Sequence, residues 1–520
     1  MSKRVALLIL FLTLVRFGEA QSNAPYVYQV LPYATVQQSG TFAGTVASKT
    51  NYNGTPCTLT ASSASCNTNA GNTFNPGNFA AQTGTNGTLG LAGSLDGSIA
   101  TALSVIPLAS PASGVITKTD PTTGAELPAS SSLGPIFTER AETIGKHKFY
   151  IGLSNQTFHF TSFNGQSLRP IQMLDPGGEA TNVLSAPGGS PLLSPPQTYD
   201  IGMDVRLSQN VAFLTYGVTG RFDVSVGLPV VHAAVSASGY NQEVYGGNGF
   251  GAQNNLCWCV GTLTPGMQPG SPADPTALGL QQQQINFSRL GKTGFGDMLL
   301  RFKGQVLERS KLALAVGADL RLPTGDERNF LGTGAVAIKP FAALSLYTKP
   351  FNNGIVFSPH VNVGWQIAGK SILGGQVSAT SVTTPSGFSA TAPPFTSSKG
   401  YLPDVFSWAL GTEVALGRRN TVVLDFLGNQ IGWIHGIQNM VTQSVANQPE
   451  PQTGTGSATT EPAYGFVSAG HQSFGQYSGA FGYKARVVGK LVATVNMLVR
   501  FDNNGLTARY APLFGLGYTF

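Results

Sequence analysis

The residues of this chain best suited to chemistry recur at every second position. Asp297, Arg301 and Lys303 share one face of a segment whose other face carries Met298, Leu300, Phe302 and Val306. Asp319 and Arg321 are opposed in the same way by Leu312, Leu314, Val316, Leu320 and Leu322, and Lys339 by Val336, Ile338, Leu344 and Leu346. His360 alternates with Asn362 and Gln366, and Glu413, Asp425 and Arg500 occupy equivalent places further on. The same parity adds Arg206, Arg221, Lys484, Arg486, Lys490, Arg509, Asp204 and Asp223. A period of two is the signature of a strand with one polar and one apolar face. Fixed charges along a wet passage select and steer ions, and here the basic groups outnumber the acids, which favours anions modestly. The plainer reading is that these charges pair across adjacent strands and bind nothing; both stand at this point.

The patterns of catalysis are absent. None of the six histidines, His147, His159, His232, His360, His435 and His471, has a recognisable serine or acid spacing, and neither GxSxG nor HExxH occurs. Gly364 to Ser371 fits the phosphate-cradling pattern GxxxxGK(S/T), but it begins inside an alternating strand rather than between a buried strand and a helix N-terminus. Cys257-Trp258-Cys259 has no histidine or acid cluster beside it, so a loop disulfide or idle thiols fit better than a metal site. No catalytic residue, cofactor or metal is expected. The net charge of +6 comes from dispersed residues, not the stripe that nucleic-acid binding needs.

Three successive segments of this kind suggest a barrel that is apolar outside, polar inside and closed against lipid. Twelve strands are expected, at 148–162, 198–216, 221–236, 293–307, 311–323, 334–348, 354–368, 404–417, 420–433, 473–488, 490–502 and 506–520. Short joints (GVTG, ERSK, TKPFNNG, GRRN, VVGK) alternate with longer ones, as periplasmic turns alternate with external loops. Asn504-Gly505 is a strong hairpin signal. The fold class is therefore all-β, an antiparallel transmembrane barrel of about 12 strands, or 14 if residues 107–147 add a hairpin. A three-residue turn at Arg309-Ser310-Lys311 would set Arg301 across from Asp319. An arginine at Leu314 would meet lipid, and one at Ala313 would be tolerated in the lumen. Phe158, Phe160 and Tyr216 are the inward aromatics.

GFGD at 294–297, LPTGDERNFLGTG at 322–334 and LTYGVTGRFDVSVGLPVV at 214–231 carry a resemblance. They resemble the phenol meta-pathway transporter family of bacterial outer-membrane barrels, related to FadL-type hydrophobic-solute channels. The similarity runs in pieces from about Ile106 to Phe520, with PLASPASG and GPIFTERAETIG among them. It implies passive uptake of small, hydrophobic or aromatic solutes, and a segment folded into the barrel mouth. The last strand ends on Phe520, similar to the signature read by the outer-membrane assembly machinery.

Composition agrees. Charged residues are 10%, against roughly 25% in average soluble proteins, and mean hydropathy is only +0.05. Residues 1–20 read as a signal peptide, with Lys3 and Arg4, an apolar run from Val5 to Val15, and small residues before a cut after Ala20. Residues 21–106 are rich in Ala, Ser, Thr, Asn and Gly and offer little from which to build a core; Leu89 to Pro107 reads as a helix or two strands. Cys57 and Cys66 are disulfide candidates in an oxidising compartment. Residues 107–147 are a plug or an extra hairpin, and 148–520 the barrel. Asp326, Glu327 and Arg328, at an external strand end flanked by glycines, are the candidate gate. The partners expected are the outer-membrane bilayer, the assembly machinery and a small solute, with no nucleic acid. The alternative is a non-transporting surface barrel for adhesion or envelope structure, and behind it an outer-membrane hydrolase.

Overall fold

Strands that alternate apolar and polar must close on themselves if lipid is not to meet unpaired backbone, and these do. In the computed structural model β1 (Phe149–Phe160), β2 (Thr198–Thr219), β3 (Phe222–Glu243), β4 (Gln281–Phe295, resuming as Met298–Glu308), β5 (Leu312–Leu322) and β6 (Ala337–Leu346) pair antiparallel in order. They are followed by β7 (Val356–Ala368), β8 (Val405–Leu416), β9 (Asn420–Ile431), β10 (Phe474–Val488), β11 (Leu491–Arg500) and β12 (Tyr510–Thr519). β12 returns to β1, from Leu513 opposite Gln156 to Thr519 opposite Tyr150, which closes a twelve-stranded barrel. The structure describes residues 24–35, 88–107, 110, 132–169, 198–243, 281–348, 355–383, 389–417, 419–433, 435, 437–444 and 465–520, with short backbone segments at 49–50, 56–57, 117–119, 126–128, 171–174, 184–185 and 191–192. The signal segment, Cys66, Cys257, Cys259 and the side chain of Cys57 lie outside these, and so do both disulfide readings.

The lipid face is legible as exposed apolar side chains that water would penalise: Val316 is 47% exposed, Leu410 48%, Phe481 60% and Phe514 54%. Among the described residues no helix is long and apolar enough to cross a membrane.

Three joints expected to be loops carry strand instead. Gln281 to Gln284, in the long joint between the expected strands 221–236 and 293–307, continue β4 against Tyr240 to Glu243 of β3. In the seventh and ninth joints Val377–Thr383 pairs with Ser389–Ser397, and Ile437–Ser444 with Gly465–Gln472. Beyond the bilayer a strand needs no apolar face, so the hydrophobic period cannot mark where it stops.

Arg301 does lie opposite Asp319. The turn below them is tighter than expected, with Arg309 N–H donating to Leu312 O at 2.8 Å. A bulge at Val306, between the pairs Gln305–Ala315 and Leu307–Leu314, makes up the difference.

The N-terminal part departs further from expectation. Val27–Gln29 forms a 3₁₀ turn leading into α1 (Val30–Thr35), and α2 spans Thr88–Val105. Val30, Leu31, Leu95 and Ile99 are buried in one apolar cluster with Phe158, Val205, Val231 and Phe330. Residues 24–35 and 88–106 therefore do contribute a core, inside the half of the barrel that carries the long joints. This also inverts β2. Its apolar residues Met203, Val205 and Leu207 face inward onto the helices, whereas Arg206 is exposed and bonds Asp204 at 2.8 Å on the outer face. Tyr216 likewise shares the outer parity of the exposed Leu214. Reading apolar as outward fails wherever the lumen is packed with protein.

Val316→Arg, halfway along β5 on the outer face, should cost roughly 2–4 kcal/mol. It should reach the membrane poorly folded, as judged by heat-dependent gel mobility and urea titration. Ala313→Arg will not be tolerated as the sequence suggested: Ala313 is fully buried, clustered with Ala141. Wild-type folding of Val316→Arg would refute the outward assignment, and wild-type folding of Ala313→Arg the packed lumen.

Candidate functional site

The half of the lumen on the side of the short turns is occupied by residues 132–147, which enter β1 directly. Gly–Pro and a run without strand periodicity give this segment no partner backbone of its own, so its polar groups must be satisfied by the wall. Leu133 N–H donates to Thr421 Oγ1 at 3.0 Å, Gly134 N–H to Glu413 Oε2 at 3.0 Å and Phe137 N–H to Asp425 Oδ2 at 2.9 Å. Ala141 N–H donates to Ser345 Oγ at 2.9 Å and Ile144 N–H to Asp223 Oδ2 at 3.0 Å. Wall glycines admit the segment: a Cβ on Gly411 would lie 2.5 Å from Thr138 Oγ1, and one on Gly482 2.2 Å from Ile136 Cδ1.

Charges complete the fit. Arg140, 1% exposed, donates through Nε and Nη2 to both oxygens of Glu413 at 3.0 and 2.6 Å. His360 Nε2 lies 2.8 Å from Glu413 Oε1, and its Nδ1 2.9 Å from Ser345 Oγ. Arg301 binds Asp319 at 2.6 and 2.8 Å and turns its third nitrogen to Glu139 Oε2 at 2.8 Å. Lys303 reaches Glu139 Oε1 at 2.8 Å, Glu142 O at 2.8 Å and Arg140 O at 3.2 Å. Burial alone would push the Glu139 carboxyl up; Lys303 and Arg301 outweigh it and hold the group below the usual carboxylate range. Arg301, Lys303, Asp319, His360, Glu413 and Asp425 are thus brought together around this segment, expected from sequence to line a solute path and here holding residues 132–147.

Asp297 is displaced from that path too. β4 breaks at Gly296-Asp297, and the Asp297 carboxylate accepts from Gly325 N–H at 3.1 Å and from Thr333 N–H and Oγ1–H at 2.7 Å each. It holds the loop of residues 323–336 over the lumen, and a Cβ on Gly332 would sit 2.2 Å from Asp297 Oδ1. In that loop Asp326 caps the turn Glu327–Asn329, accepting from Arg328 N–H at 3.0 Å. Glu327 accepts from Ser371 Oγ–H at 2.8 Å, and Arg328 reaches Tyr26 Oη at 3.1 Å. Glu327 is thus tethered just beyond the end of β7 and Arg328 to the N-terminal turn, while Asp326 orders the loop itself. Arg321 donates to Leu103 O and Ser104 O at 2.8 and 3.1 Å, capping the last carbonyls of α2. Arg500 pairs with Asp502 at 3.0 Å.

Between α2 and the lower segment lies a cavity of about 210 Å³. Arg301, Asp319, Arg321, Lys339, Asn362 and Gln366 line it from β4–β7, while Phe158, Phe160, Leu427, Leu498 and Leu506 line it from the opposite arc. Of the residues singled out from sequence, Lys339 remains uncommitted, with no ion pair among the described residues. Sequence reasoning missed Glu139, Arg140 and Glu142 as partners of the wall. Three charges within four residues, in a chain only 10% charged, were the available signal.

Exchanging the wall pair, Arg301→Asp with Asp319→Arg, should restore register but fail to recover stability, because the carboxylate introduced at 301 would face Glu139. Adding Glu139→Gln should recover it, by roughly 1–3 kcal/mol in urea titration; no effect of the third change would remove Glu139 from the network. Because the Glu139 carboxyl is held low when docked, its contribution is present above the usual carboxylate range and is lost as pH falls through the depressed value. Hydrogen exchange of residues 132–145, corrected for intrinsic rates, should therefore rise on acidification, and less so in Glu139→Gln.

No curated protein matches the chain in sequence. Among solved structures, an outer-membrane channel from Pseudomonas putida F1 is similar at TM-score 0.37 and 8% identity, over 73% of this chain and 98% of that one. A Pseudomonas aeruginosa FadL homologue scores 0.27 at 10% identity over 80% and 98%, and a monoaromatic hydrocarbon channel, CymD, 0.27 at 8% over 72% and 88%. At such scores these likenesses bear on neither substrate nor mechanism. Residues 186–371 match the family described as "Putative MetA-pathway of phenol degradation", a narrower span than the motifs suggested. It runs from before β2 to the end of β7 and contains Asp297 and the loop it holds. Over that span the chain, a twelve-stranded barrel of the outer-membrane type, resembles the phenol meta-pathway family.

Proposed function

We propose that this protein is an outer-membrane channel for passive uptake of small, partly apolar solutes, with residues 132–147 acting as an internal plug. The observation that carries the reading is the cavity of about 210 Å³ between α2 and the plug, whose lining mixes charged, polar and apolar side chains. A barrel needed only for adhesion or envelope structure has no use for such a chamber at its centre. The filled lumen favours that second reading, and one assay separates the two. The family match, whose description names phenol degradation, agrees with uptake of aromatic compounds. Residues 1–20 fit export by a signal peptide, and the terminal phenylalanine fits recognition by the assembly machinery.

In this mechanism a solute enters from outside past the loop of residues 323–336, rests in the chamber, and leaves when the plug loosens at its ionic contacts. Removing one partner of a buried pair costs about 3–5 kcal/mol. Arg140→Ala should therefore raise the undocked plug population by about 100-fold or more. Proteoliposome flux of small aromatic solutes and single-channel conductance should both rise in the variant above a low wild-type level. Absence of flux in wild type and variant alike would sink the channel reading.

A further inference from the structure

The cations around the chamber are unequal. Arg301 is spent on Asp319 and Glu139, Arg321 on the carbonyls of α2, and Arg500 on Asp502. Lys339 has neither an ion pair nor a hydrogen bond among the described residues, although it lines the cavity. Asp319 is its cross-strand neighbour on β5, but that carboxylate is already held by both nitrogens of Arg301. On the other side, the ladder between β6 and β7 pairs Ile338 with Ile367 and next Phe341 with Gly364, which sets Lys339 level with Gln366. Pro340 lacks an N–H, and the ladder is interrupted there. Gln366 is 7% exposed, lines the same cavity, and its Nε2 has no hydrogen-bond partner. Two cross-strand donors, a half-buried charged one and a buried neutral one, thus stand without acceptors among the described residues, a costly arrangement unless something else supplies the acceptor.

Across the lumen Phe158 and Phe160, with ring centroids 6.3 Å apart, and Leu427, Leu498 and Leu506 supply the apolar part of a lining that also holds Asn429, Gln476 and Ser478. A cavity of about 150 Å³ holds one benzene, so one of about 210 Å³ admits a single ring with a small substituent and excludes a long acyl chain.

We infer that the chamber is a binding site for a single-ring aromatic anion, its carboxylate received by Lys339 and Gln366 and its ring by Phe158, Phe160 and Leu498. This deepens the channel reading by naming the solute class, and it rests on that reading for its biological meaning, though not for binding itself. The charge supplies what the two donors lack, and the ring removes apolar surface from water.

The test is equilibrium binding of radiolabelled benzoate to the full-length barrel in neutral micelles at neutral pH, with empty micelles as blank. Benzyl alcohol keeps the ring without the charge, and acetate the charge without the ring; each should compete at least about tenfold more weakly than unlabelled benzoate. Lys339→Met should weaken benzoate roughly 10- to 100-fold while leaving benzyl alcohol binding within about twofold. Gln366→Leu should weaken benzoate less, and it carries the test if Lys339→Met does not assemble. Equal competition by benzyl alcohol, or unchanged benzoate affinity in both variants, would overturn the anion assignment even if flux is observed. Benzoate binding as expected with no flux through liposomes would leave the site standing and remove only the conduction.

Discussion

The contact on which the rest of this structure depends is the buried one between Arg140 and Glu413. Both side chains are essentially inaccessible, and each ion would be prohibitively costly there without the other. Glu413 also receives His360 and a backbone N–H from Gly134, so its lone pairs are filled from three directions. Once Arg140 is placed, Glu139 falls between Arg301 and Lys303, and Thr138 against Asp425. Residues 132–147 are held less by apolar burial than by charges that the wall already carries. That makes its hold dependent on ionisation, whereas an apolar contact would be indifferent to it.

The two halves of the lumen solve the same problem by different chemistry. Toward the periplasm, a segment with no regular backbone pairing is bound through wall side chains of alternating sign. Toward the outside, α2 satisfies its own backbone, and its hydroxyls fold back on its own carbonyls, as Ser98 does on Ser94 O at 2.7 Å and Thr101 on Gly97 O at 2.7 Å. A helix so finished can be packed against apolar strands, and Met203, Val205, Val231 and Val235 supply them. The chamber lies where the polar regime gives way to the apolar one, and its lining mixes both.

The loop over the mouth follows the same logic of satisfied polar groups. A break in β4 turns Asp297 inward, and its carboxylate gathers the N–H groups of Gly325 and Thr333. Phe330, in the left-handed region at φ 53, is thereby driven into the apolar cluster with the N-terminal helices. A left-handed phenylalanine is strained, and its burial offsets that. Loop, N-terminal turn and wall are thus closed on one another at Arg328–Tyr26 and Glu327–Ser371.

By itself the sequence determined the wall. Strand number, direction, the closing of short and long joints, and the placing of Arg301 opposite Asp319 all follow from a period of two and from turn chemistry, which are local properties. It failed along β2, where Val205 and Leu207 look lipid-facing yet point inward, because an apolar face shows only that water is excluded and not what excludes it. The lumen charges were likewise visible as a set, but not as partners of Glu139 and Arg140. Those partners lie roughly 160 to 280 residues away in the chain, at spacings no local pattern encodes. Only the tertiary structure decided that the lumen is filled, which cations are spent, and that Lys339 is not, because each of those outcomes depends on which residues distant in sequence come within a few ångströms of one another.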